Sequence, residues 1–206
     1  RDRYLIGWRM VDLNRTGLPE LEVVTSTGGT FHGNNYCYLT QDGGLRHVFS
    51  VSAYVKRIKD LDGDGLVEVE CEDGEWEDTY FGLSHAEQGC VLRILKPASA
   101  AAGATYKDAT PKFPSLVTSF AEANRTAYLK DPGNKRWAGG GRGALAAYVC
   151  GMAMIGQAEA ASAWVARNAP PSDREWFRQH RGEMVKRPGP LKTWRTDKTV
   201  INAELG

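Results

Sequence analysis

Residues 60–70 read Asp60-Leu61-Asp62-Gly63-Asp64-Gly65-Leu66-Val67-Glu68-Val69-Glu70. Carboxylates stand at the first, third and fifth places of this run and return at the ninth. A hard cation such as Ca²⁺ gathers roughly six to eight oxygen ligands, and alternate residues of a tight loop point inward to supply them. The spacing therefore predicts one Ca²⁺ held by Asp60, Asp62, Asp64 and Glu68 together with the backbone carbonyl of Leu66. Gly65 falls where such a loop turns sharply, a conformation glycine adopts without steric cost. The twelfth place is Cys71 instead of the Glu that closes an EF-hand, and Val67-Glu68-Val69-Glu70 alternates as a strand does. An acidic surface turn is the bland alternative. Either way, the loop is expected to lie between two strands.

A second copy precedes it. Asp12-Leu13-Asn14-Arg15-Thr16-Gly17-Leu18-Pro19-Glu20 places ligand-type residues at Asp12, Asn14, Thr16 and Glu20, with the carbonyl of Leu18 in the place of that of Leu66. The lead-ins match too, Arg9-Met10-Val11 before one loop and Arg57-Ile58-Lys59 before the other. Asp60 thus repeats Asp12 at a distance typical of one supersecondary unit. These loops resemble those of the FG-GAP/VCBS repeat family, whose blades carry a D-L-[DN]-x-D-G-x-x-E loop followed by a short apolar strand. The resemblance covers about the first hundred residues and implies β repeats that bind Ca²⁺ and serve adhesion or recognition. Thr16 departs from the family's Asp and leaves the first loop with fewer charges. Two repeats are too few to close a propeller. They are expected to pack on each other or on the C-terminal part of the chain.

The elements that must position these loops are set by periodicity. Tyr4 to Val11, Glu20 to Thr25, Asn34 to Thr40 and Leu45 to Tyr54 read as strands, as do Val67 to Cys71, Asp78 to Leu83 and Gly89 to Leu95. Pro97 to Pro111 is rich in Ala, Gly and Ser and reads as a connector. Beyond it the period becomes helical. Leu116, Phe120, Asn124, Ala127 and Tyr128 share a face from a Ser115 cap to the stop at Asp131-Pro132-Gly133. Ala144 to Asn168 gives two helical runs broken near Ile155-Gly156-Gln157, a break that resembles a tetratricopeptide-like unit. Ser172-Asp173-Arg174-Glu175 has the form of a capping box and opens a last helix with Trp176, His180 and Met184 on one face. The expected class is α+β: an antiparallel β module of two repeats over 1–96, a connector over 97–114, and a helical segment with a basic tail over 115–206.

Composition bounds the function. No apolar run in the 206 residues reaches the length of a membrane span. Residues 1–100 hold 10 Lys/Arg against 16 Asp/Glu, and residues 101–206 hold 16 against 9. An acidic half thus precedes a basic half, and the acidic excess belongs partly to the loops. Cys37, Cys71, Cys90 and Cys150 show no CxxC spacing, which argues against a zinc cluster. A Cys71–Cys90 disulfide is expected, since both stand on or beside strands of one repeat. Weak calcium loops of this kind suit an extracellular setting, so a secreted or periplasmic address is expected. The chain begins at Arg1 without Met, in keeping with a processed protein.

Other chemistry is thinly signalled. Gly139-Gly140-Gly141-Arg142-Gly143 precedes a helix but lacks the Lys-Ser/Thr of a P-loop, and reads as a connector. His32, His47, His85 and His180 form neither HExxH nor a G-x-S-x-G elbow; Glu77 or Asp78 with His85 is the one acid–base pairing in sight. Arg174, Arg178, Arg181, Lys186 and Arg187 could present a basic face to nucleic acid, but a solvated helix face is the simpler reading. Trp137, Trp164, Trp176 and Trp194 are expected to anchor packing. The function expected is a non-catalytic, calcium-binding module for another protein, of which a periplasmic inhibitor or immunity protein is one version. The opposing expectation is a secreted hydrolase with its site between the β and helical parts.

Overall fold

Alternating apolar residues flank each acidic loop and make strands; alanine-rich stretches beyond residue 113 make helices. A computed structural model describes residues 4–13, 15, 17, 19–26, 35–41, 45–73, 81, 83, 87, 89–101, 104–130, 141–186 and 193–194. The chain divides into two compact units: Arg1–Cys71 with Ile94–Asp108 and Leu191–Gly206, and Glu72–Arg93 with Ala109–Pro190. The class is α+β, with antiparallel sheets and, among the described residues, four α-helices.

The first unit holds both loops. β1 (Tyr4–Val11), β2 (Glu20–Ser26), β3 (Asn35–Gln41), β4 (Leu45–Ser52) and β9 (Thr193–Trp194) form one sheet in the order β1-β2-β3-β4-β9. Every pairing in it is antiparallel. A second sheet contains β5 (Tyr54–Lys59), β6 (Glu68–Asp73), β7 (Val91–Pro97) and β8 (Tyr106–Asp108), in that order. The stretch read as Leu45 to Tyr54 therefore ends at Ser52, and a new strand starts at Tyr54. Each loop joins two strands, as the alternation after it predicts. Leu13, Val48, Phe49, Val51, Val55, Val69, Cys71, Leu95 and Tyr106 are buried together, so side chains of both sheets meet in one core. Phe49 and Tyr106 rings lie 4.6 Å apart across it. Burial of this much apolar surface, at about 25 cal/mol per Å², is what fixes the register of the loop-bearing strands.

The stretch 97–114 is more than a connector. It contributes β8, paired with β7 through Leu95–Asp108 and Pro97–Tyr106, and a 3-10 turn at Thr110–Lys112. Of the strand expected over Asp78 to Leu83, residues 78–80 and Gly82 lie outside the described residues, and Phe81 is not extended, with a φ of 61°. Such a conformation is costly for an aromatic residue. Trp176 holds it, donating its Nε1 to the Phe81 carbonyl at 2.7 Å.

The second unit packs α1 (Pro114–Lys130), α2 (Gly141–Met154), α3 (Ala158–Asn168) and α4 (Pro171–Lys186). Helix α2 is buried along nearly its whole length because its Ala, Gly and Leu residues let neighbours close in on every side. Gly143 shows the reason for the glycine run: a Cβ there would lie 1.7 Å from the Glu87 carbonyl oxygen. Gly141 and Gly143 belong to the first turn of α2, not to a connector; Gly139 and Gly140 lie outside the described residues. The break between α2 and α3 falls where the sequence predicts it, with Gly156 at a φ of 77°. Pro171 takes the first helical position of α4, so Ser172 lies inside the helix and does not cap it. Asp173 is spent on tertiary contacts instead, accepting Tyr128 Oη at 2.8 Å and Arg142 Nε at 3.0 Å. Among the described residues no helix is long and apolar enough to cross a membrane.

Candidate metal centre

The two loops are tied down by matching contacts. The Leu13 amide donates to Glu20 Oε2 at 2.9 Å, and the Leu61 amide to Glu68 Oε2 at 2.7 Å. Gly17 N donates to Asp12 Oδ2 at 3.0 Å, and Gly65 N to Asp60 Oδ2 at 3.1 Å. Arg9 bonds Glu22 one strand away, as Arg57 bonds Glu70. Gly17 and Gly65 have φ of 76° and 87°, the left-handed turn their places require. The first and ninth residues of the pattern thus spend one or more oxygens on loop amides, a task independent of any ion.

In the second loop three further oxygens converge. Asp62 Oδ2, Asp64 Oδ2 and Glu68 Oε1 lie 2.7, 2.8 and 2.7 Å from one point. That point is Nζ of Lys96, which reaches the loop from β7. Asp64 keeps its other oxygen on the Leu66 amide at 3.0 Å, and Asp60 takes the Gly63 amide at 2.7 Å. Ligand atoms of Asp60, Asp62 and Glu68 can lie within 4.8 Å of one another. Glu68 is fully buried, and no donor other than the Lys96 ammonium approaches its Oε1 among the described residues. The donor set is all oxygen, which fits a hard divalent ion better than a thiophilic one. An acidic triad of this kind could hold a metal ion, with Lys96 displaced.

Electrostatics agree with an ammonium held by its carboxylate neighbours. Burial alone would push the Lys96 ammonium down, yet hydrogen bonds to Asp62, Asp64 and Glu68 outweigh it and hold it above the usual lysine range. The Lys96 ammonium, then the Leu66 amide, hold Asp64 below the usual carboxylate range. Tyr106, whose hydroxyl donates to the Val67 carbonyl at 3.3 Å, is pushed up by burial and then by the charges of Glu20 and Glu68. Both buried glutamates therefore act on one tyrosine.

The first loop is less fully described. Asp12 and Glu20 accept the Gly17 and Leu13 amides, whereas Asn14, Thr16 and Leu18 lie outside the described residues. Arg15 stands where the second loop has Gly63, takes a φ of 50°, and extends its Nη1 to within 3.4 Å of Asp60 Oδ2. The loop spacing signals neither Lys96 nor Arg15; a lone basic residue on a strand, or inside a turn, carries no periodic signal.

The expected Cys71–Cys90 disulfide is not formed, and both residues keep their thiols. Cys71 is packed in the sheet core. Burial, and after it the charges of Glu72 and Asp73, pushes the Cys90 thiol up to about 11. Cys150 is likewise a buried thiol, and the side chain of Cys37 lies outside the described ones.

The remaining sequence candidates resolve into packing. His180 packs against the rings of Phe81 and Trp176, with centroids 5.8 and 5.6 Å away. Trp164 packs edge-on against Tyr128 and Tyr148 at 6.2 and 5.3 Å. Arg178 pairs with Glu175 at 2.6 Å, Arg174 reaches the Ala166 carbonyl at 3.4 Å, and Arg181 bonds Ser162 and Glu159. Glu77, Asp78, His85, Trp137 and Arg187 lie outside the described residues.

On the outer face of β1 and β2 the chain leaves apolar side chains in solvent. Trp8 is 66 % exposed opposite Val23, and Met10 is 48 % exposed opposite Leu21. Leu5 and Ile6 continue the exposure toward the strand's start. Comparison of the chain with protein-family models, with curated proteins and with solved structures finds no match to any of them.

Proposed function

We propose that this chain is a calcium-stabilised recognition module of the FG-GAP/VCBS type that works by presenting a surface to another protein, without catalysis. The observation that carries the reading is the grouping of ligand atoms of Asp60, Asp62 and Glu68 within 4.8 Å of one another in a single loop, although Lys96 Nζ lies against two of these residues. The ion belongs to the loop that supplies its ligands, so its role is to fix the β1/β2 and β5/β6 framework. Ca²⁺ is favoured over smaller ions because the loop offers many carboxylate and carbonyl oxygens in a flexible turn. The exposed strip of Trp8 and Met10 supports a protein partner, since contiguous apolar surface commonly marks an interaction site. A secreted or periplasmic setting, where calcium is plentiful, suits the same reading, and an inhibitor or immunity protein is one form it takes.

The test is thermal melting of the full chain in EDTA and in millimolar Ca²⁺. An ion that binds the folded loop and not the open chain stabilises by mass action, by about 2.7 kcal/mol at a hundredfold excess over Kd. Asp62→Ala is expected to remove most of that gain and Asp12→Ala a smaller part. A melting temperature indifferent to both EDTA and Ca²⁺ overturns the reading.

A further inference from the structure

The Lys96 ammonium stands where the ion of the second loop would bind. Three carboxylate oxygens from Asp62, Asp64 and Glu68 surround its Nζ at 2.7, 2.8 and 2.7 Å, so that all three pair with one ammonium. Its side chain is 15 % exposed, so this is a mostly enclosed position and not a passing surface contact. A Ca²⁺ ion sits about 2.3–2.6 Å from its oxygens. A metal ion held by Asp60, Asp62 and Glu68 would then compete with the ammonium for the carboxylates of Asp62 and Glu68, which two cations cannot share. Glu68 makes the competition strict. Its Oε1 is fully buried with no donor near it except Lys96 among the described residues, so whichever cation leaves must be replaced by the other.

We propose that Lys96 is the resident counter-ion of the second loop, a tethered cation that a metal ion must displace in order to bind. The inference rests on the calcium reading above and adds what sets the affinity. Without metal, the lysine bridges the three carboxylates, offsets part of their charge and keeps the loop folded. With metal, the flexible four-carbon stem swings the ammonium out toward solvent. Because the binding-competent state is the one with Lys96 withdrawn, the apparent affinity is lowered by the fraction of molecules in that state. The loop thereby becomes a low-affinity site that responds only to high calcium. The first loop gives an internal contrast: when Asp12 is aligned with Asp60, the residue matching Lys96 is Val48, which cannot play this part.

The experiment compares the full-length protein with Lys96→Met by calorimetric Ca²⁺ titration, and maps amine acylation of the wild type by mass spectrometry in EDTA and in Ca²⁺. Lys96→Met, which removes the charge and keeps the volume, should bind Ca²⁺ roughly tenfold more tightly or better, as expected if Lys96 occupies the loop at least nine-tenths of the time. Asp62→Ala added to Lys96→Met should abolish that tight phase and so place it in the second loop. In the wild type, acylation of Lys96 should be several-fold faster with Ca²⁺ than with EDTA; this readout needs no variant to fold. Clear binding by both proteins with equal affinity, or a Lys96 reactivity that bound Ca²⁺ leaves unchanged, overturns the exchange while the calcium reading stands. No binding by either protein at millimolar Ca²⁺ overturns the calcium reading and the exchange with it.

Discussion

Loop 12–20 and loop 60–68 are held by the same bonds at matching places, yet they differ at the third, fourth and fifth places. The first and ninth carboxylates, Asp12 and Glu20 or Asp60 and Glu68, accept backbone amides in both. The third, fourth and fifth places read Asn14, Arg15 and Thr16 in one and Asp62, Gly63 and Asp64 in the other. The difference separates two jobs that one motif usually merges. Outer carboxylates build the turn, whatever ion is present; inner carboxylates face a cation. A loop can keep the first job after losing charges needed for the second, which is how the first copy reads.

Three measurements bear on this comparison. The largest effect is expected from neutralising the buried glutamates in EDTA. Glu68→Gln keeps an acceptor for the Leu61 amide but removes the charge opposite Lys96, and should cost about 3 kcal/mol in urea unfolding, the lower end for a buried pair losing one partner. The cost stays at that lower end because Asp62 and Asp64 still face the ammonium. Glu20→Gln should cost less. Equal losses would mean that the glutamates matter only as amide acceptors.

The strand bridges are expected to behave alike, since each joins an arginine to a buried glutamate of the strand beyond the loop. Arg9→Ala strips a guanidinium from the buried Glu22, and Arg57→Ala strips one from the buried Glu70. Each should lower stability by about 1–2 kcal/mol, the scale of a charge-assisted hydrogen bond to a group left without it. A gap of more than about 1 kcal/mol between the two variants, in urea unfolding that resolves such a difference, would break the equivalence of the copies.

The smallest effect lies at the fourth place of the loops. Gly63→Ala puts a side chain at a φ of 79° and should cost about 1 kcal/mol. Arg15→Gly relieves the same strain in the first loop but gives up the 3.4 Å contact of a half-exposed guanidinium to Asp60, worth only a fraction of 1 kcal/mol, so it should be neutral or slightly stabilising. Thermal melts of the two variants, shifting in opposite directions, would sharpen the contrast; a marked loss with Arg15→Gly would give the Arg15–Asp60 contact a larger role than its exposure suggests.

What the sequence determined by itself was local. The Asp-x-Asp-x-Asp-Gly run dictates a turn with inward oxygens, because alternation and glycine φ depend on a few neighbouring residues. The repeat of the loop, the strands beside each copy, and the helices with their break at Gly156 are legible for the same reason, since period is a property of a short window. What the tertiary structure decided joins residues that no window contains. Lys96 reaches Asp62 only because β7 lies in the same sheet as the strands that flank the loop. Gly143 matters because the backbone at Glu87 closes on it, and Phe81 leaves the extended region because Trp176 binds its carbonyl. Cys71 faces a core instead of a partner thiol, although its strand is plain from the alternation around it. Spacing along a chain fixes which way a side chain can point; only the pairing of distant strands and helices fixes what it meets there.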